Sequence, residues 1–96
     1  MKSIIIFIST AFISFGASAA CDKPESPSLP DADTAVTAQM VKAKHDVSQF
    51  LEDANAYLEC VSSSRKHDKM VDEMHYVGNS FNKIVRNYKA RKSAAS

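Results

Sequence analysis

Glycine is almost missing from this chain: its 96 residues include two, Gly16 and Gly78. Loops that cradle phosphate need several glycines, so that backbone amides can close around the anion. Nucleotide and phosphate sites of that kind are excluded. Paired carboxylates at catalytic spacing and nucleophile motifs are missing as well, so no enzyme activity and no cofactor is expected. No apolar run is long enough to cross a bilayer either. The longest, "SIIIFISTAFISF" from Ser3 to Phe15, covers about a dozen residues against the roughly 20 that a span requires.

That run nevertheless has a use. Met1-Lys2 precede it, and Gly16 with the small residues Ala17-Ser18-Ala19-Ala20 follows it. A basic start, a short apolar core and an Ala-x-Ala exit make a secretory signal peptide. Residues 1–20 are therefore expected to be removed, by cleavage after Ala19 or Ala20, leaving a mature chain in the periplasm or outside the cell.

Cysteine is scarce too, and the two present, Cys21 and Cys60, both fall in the mature chain. Cys21 has two possible fates. Lipoprotein processing would read Ser18-Ala19-Ala20 as a lipobox and anchor Cys21 to the membrane, although that box favours a larger aliphatic residue where Ser18 stands. Oxidation would join Cys21 to Cys60. Small exported domains bury a modest fraction of their surface and commonly add disulfides. Closing this loop contributes about 3–4 kcal/mol in the chain-entropy model. The disulfide is the favoured expectation, and a membrane-anchored lipoprotein is the alternative.

The prolines are confined to Pro24, Pro27 and Pro30. A spacing of three matches the three residues per turn of polyproline II, so residues 21–34 read as an extended, semi-rigid arm with its rings on one edge. Such an arm, at about 3.1 Å per residue, outreaches the following helix at about 1.5 Å per residue, so it can return Cys21 to the far end near Cys60.

Two amphipathic segments follow. Val36, Met40, Ala43, Val47, Phe50, Ala54, Tyr57 and Val61 alternate spacings of four and three, as do Met70, Met74, Val77, Phe81, Ile84 and Tyr88. Each is the a/d seam of a coiled-coil-like helix. The expected fold is all-α: an antiparallel two-helix hairpin over residues 35–90, with helices at about 36–62 and 67–90. Thr34 or Thr37 is expected to cap the first helix, and "SSSRKHD" (62–68) to form the break. Residues 91–96 read as a disordered tail. Two registers fit the seams. One pairs Phe50 with Phe81 and Val47 with Ile84, and is preferred because its turn centres in the break. The other, one heptad away, pairs Phe50 with Met74 and Met40 with Ile84.

Charge divides along the hairpin. Residues 21–64 carry Lys23, Lys42 and Lys44 against eight acidic residues, whereas residues 65–96 carry eight basic residues against Asp68, Asp72 and Glu73. This asymmetry favours association of the two arms. The basic C-terminal segment complements a helix dipole. It lacks the aromatic interleaving of a nucleic-acid surface, and no nucleic-acid partner is expected.

The His45-Asp46 and His67-Asp68 dipeptides read as surface polar residues. Asp68, Asp72 and His75 share one helical face and make the best candidate for a metal, the basis of an alternative reading as a small copper- or zinc-handling protein. Met70 and Met74 lie on the seam, where methionine fills core space.

Cys21-x-x-Pro24-x-x-Pro27-x-Leu29-Pro30-Asp31, then Met40, Val47, Tyr57-Leu58-x-Cys60, Phe81-Asn82, Arg86 and Tyr88-Lys89 give the chain a further context. With these features it resembles a group of small uncharacterised exported proteins of Gram-negative bacteria. The resemblance spans nearly all of the mature chain and implies a periplasmic helical protein. It brings no activity and no functional residues.

Leu51, Leu58, Val71 and Val85 remain. All four are e positions, on one flank of an antiparallel pair, with Gly78 between the valines; Cys60, a g position, lies on the opposite flank. Either the arm crosses over so that Leu29 packs beside Gly78, or the stripe serves a protein partner or self-association. The second is the expectation: a structural, accessory or inhibitor-type interaction module.

Overall fold

A computed structural model describes residues 21–95; the signal peptide expected at residues 1–20 lies outside the described residues. Two helices, α1 (Thr37–Cys60) and α2 (Ser64–Ala95), form a hairpin, with no strand among the described residues. Residues 21–36 form an arm joined to α1 by a Cys21–Cys60 disulfide, with a Cα–Cα distance of 5.5 Å, inside the usual range. The disulfide occupies the Cys21 sulfur, which cannot then also carry a lipid thioether. A disulfide is compatible with an oxidising compartment. No helix of the described residues is long and apolar enough to cross a membrane.

The two seams make the core. Val47, Phe50, Ala54, Tyr57, Met70 and Val77 form one buried cluster, against which Leu29, Leu51, Leu58, Val61, Met74 and Phe81 pack with part of their surface. Ala54 and Met70 are the most enclosed, at 0% and 1% exposure. A short side chain facing a long flexible one fills the space between close helices, the use of methionine the seam implied.

Four local expectations are corrected. First, α2 starts at Ser64, so Arg65 to Asp68 are helical and the connection is residues 61–63 alone. Ser63 makes this possible: its hydroxyl accepts the Lys66 amide at 3.3 Å and its carbonyl accepts that of His67 at 3.0 Å, an N-cap. Second, the shorter turn centres on Ser62, and Thr37 and Tyr88 share a hydroxyl–hydroxyl hydrogen bond of 2.7 Å. Both place the hairpin in the second register rather than the preferred one. Third, neither threonine caps α1. Val36 is the N-cap residue, and its amide is accepted by the Gln39 side chain at 2.9 Å. Fourth, residues 91–95 are not a loose tail but continue α2. Arg91 extends the seam spacing from Ile84 and Tyr88, and it donates to the backbone carbonyls of Asp33, at 2.9 Å, and Ala35.

The opposite charges of the two helices are not used as bridges between them. The Lys–carboxylate ion pairs among the described residues are Lys23–Glu73 and Lys42–Asp46, His67 contacts Asp68, and none of these joins α1 to α2. Apolar seam contacts hold the hairpin, and the charges sit on its outer faces.

Candidate interaction surface

The path of the arm decides which surfaces are left open. At the turn end, Lys23 Nζ lies 3.2 Å from Glu73 Oε2, and the Ser26 hydroxyl donates to Glu73 Oε1 at 3.3 Å. Further on, Pro30, Asp31, Ala32 and Asp33 line a shallow cleft with Ser80, Lys83, Ile84 and Asn87. The arm thus advances along α2 in the same direction as α2 itself. Pro24, Pro27 and Pro30 are half-buried while most of their neighbours are exposed, as expected if one polyproline edge faces the helices.

The arm ends in a hydrogen-bonded turn. The amides of Thr34 and Ala35 donate to the Asp31 carbonyl at 3.2 and 2.8 Å, and the Asp33 amide donates to the Asp31 carboxylate at 2.8 Å. Asx turns of this kind satisfy backbone groups locally. Ala32 and Ala35 are buried here, beneath the Arg91 clamp. Tyr88 completes this end: the guanidinium of Arg91 and the ammonium of Lys92 stand 5.4 and 5.5 Å from its ring centroid, within cation–π range. The Thr37 hydrogen bond holds the Tyr88 phenol below its ordinary pKa of 10.0, with Lys92 and Arg91 adding to it against a countering effect of burial.

Glu73, Ser80 and Asn87 are g positions, as is Cys60. The arm therefore lies wholly on the g flank in these contacts. It does not cross over to the e flank, and a Cβ built on Gly78 would meet nothing within 4 Å. Leu29 packs against the core, not beside Gly78.

Leu51, Leu58, Val71, Gly78 and Val85, the five residues singled out from the sequence, are all half-exposed. Leu51 and Leu58 lean partly on the core. Val85 opens into a groove of about 400 Å³ between the helices, walled by Met40, Val41, Phe81 and Tyr88, with Lys44, Asn82 and Lys89 at its edges. Val41, missed in the sequence because it stands off the seam at a b position, is 63% exposed. The spacing from Val41 to Lys44 and Leu51 places all three on this flank. That was the signal available.

Gly78 stands out energetically. Glycine inside a helix costs about 1 kcal/mol relative to alanine, and no neighbour in the hairpin requires the missing side chain.

Asp68, Asp72 and His75 are exposed. Among the described residues, no three His, Cys, Asp or Glu side chains come together in a way that could hold a metal ion. The helical spacing leaves them strung along the outer surface. No protein-family model, curated protein or solved structure matches the chain.

Proposed function

We propose that this chain is a small exported, non-enzymatic protein of the bacterial periplasm, a structural, accessory or inhibitor-type module that works by protein contact. Its working surface is the e flank: Leu51, Leu58, Val71, Gly78 and Val85. One observation carries the reading. The arm is spent on the polar g flank, over Glu73, Ser80 and Asn87, although covering the apolar flank would return about 25 cal/mol for each Å² removed from water. Leu29 of the arm reaches the core from the g side, and no residue of the arm is seen against the e stripe. Contiguous apolar surface left open on a monomer marks an interaction site. The disulfide and the signal-like start support the compartment.

The test is site-specific photo-cross-linking in cells that export the protein. A photoreactive residue at Val71 or Val85 should give discrete adducts. The same residue at Tyr76, 73% exposed on another face of α2, should give none. Absence of adducts from both valines, or equal labelling from Tyr76, overturns the assignment.

A further inference from the structure

Four features of α2 are arranged about Gly78. Val71 and Val85 lie seven residues before and after it on the same stripe, about 10 Å away in each direction at 1.5 Å per residue. Asp68 lies ten residues before and Lys89 eleven after, both exposed and both at b positions bordering the stripe. The order acid, valine, glycine, valine, base is its own complement when reversed.

A two-fold interface has this property, because every patch must match itself read in the opposite direction. We infer that the e flank docks on a second copy of this chain, with the two α2 helices crossing antiparallel at Gly78. This rests on the e-flank reading above and names its occupant. In that arrangement Gly78 meets Gly78 of the other copy on the axis, Val71 of each chain packs on Val85 of the other, and Asp68 of each faces Lys89 of the other. The bare Gly78 backbone, which serves nothing within the hairpin, is then the point of closest approach between the helices. The same axis carries α1 past α1. Val47 stands level with Val77 in the observed register, so Val41 of one copy comes near Leu51 of the other. Val41 is exposed and Leu51 half-exposed, so both have apolar surface to bury there. The result is a four-helix assembly with an arm strapped to each outer flank.

The experiment is sedimentation equilibrium of the exported, oxidised chain, with three kinds of variant. The unmodified protein should be a dimer. Gly78→Leu should weaken the dimer at least about tenfold, while circular dichroism shows an intact helical monomer, since leucine favours helix and meets open space. Asp68→Lys and Lys89→Asp should each weaken it by about tenfold, through like charges set opposite one another twice per dimer. The double change should restore the original affinity, because the pairs re-form with reversed sign. A chain that stays monomeric overturns the inference, and so does a dimer that tolerates Gly78→Leu or is not rescued by the double swap. In the first case, adducts from Val85 to a different protein would leave the interaction surface standing and remove only its self-association.

Discussion

On one flank of the hairpin, Glu73, Ser80 and Asn87 lie beside a proline-rich strap. On the other, Leu51, Leu58, Val71 and Val85 stand half-exposed around Gly78, beside which a Cβ would meet open space. The arm runs along the polar flank and leaves the apolar one half-exposed, the reverse of what burial alone would select. The strap stays where it is for other reasons. A covalent bond at Cys60 holds its start, and Arg91 holds its end through two backbone carbonyls. Anchors at both ends, with Leu29 packed on the core between them, hold the arm to this flank, and that leaves the other flank free for a different use.

Breaking the first anchor should have the largest effect. Replacing both cysteines by serine frees a loop of 39 residues in sequence separation and should cost about 4 kcal/mol, read as a lower urea midpoint. Reductant should reproduce this in the unmodified chain and leave the variant unaffected.

The second anchor comes next. Arg91→Ala removes charge-assisted bonds at a half-buried site and should cost about 1–2 kcal/mol. Amides of Thr34 and Ala35 should exchange hydrogen faster in this variant, while those of the seam do not. On the apolar flank the sign reverses. Gly78→Ala should raise the stability of the monomer by up to about 1 kcal/mol, because alanine favours helix and nothing fills the space. The smallest effect belongs to Lys23→Ala. Its exposed pair with Glu73 is worth no more than about 0.5 kcal/mol, and the disulfide keeps the arm in place without it.

Much of this fold is legible in residue spacing. The alternation of fours and threes specifies both helices, and the proline spacing with the two cysteines specifies the arm and its staple. What spacing hides is the choice among equivalent solutions. Seams that repeat each heptad fit two registers equally, and only the turn, set by the Ser63 cap, separates them. Arg91 was hidden for a different reason. Among Lys89, Arg91 and Lys92 it reads as one more cation near a helix end, and its partners are backbone carbonyls that no side-chain pattern announces. The e stripe was visible from the sequence, because apolar residues at heptad intervals need no structure to be seen. That it stays open depends on the path of the arm, which required the contacts with Glu73 and Ser80.

The central claim is that the apolar flank serves association and contributes little to the fold. Val71→Ser with Val85→Ser tests it most directly, since both valines are half-exposed and serine matches valine closely in helix propensity. Thermal unfolding should be followed at concentrations where the chain is monomeric, and association in the sedimentation experiment above. The account predicts a midpoint within a few degrees of the unmodified protein and loss of association. A monomer that unfolds at much lower temperature, with its association unchanged, would show that the stripe is core and contradict the account.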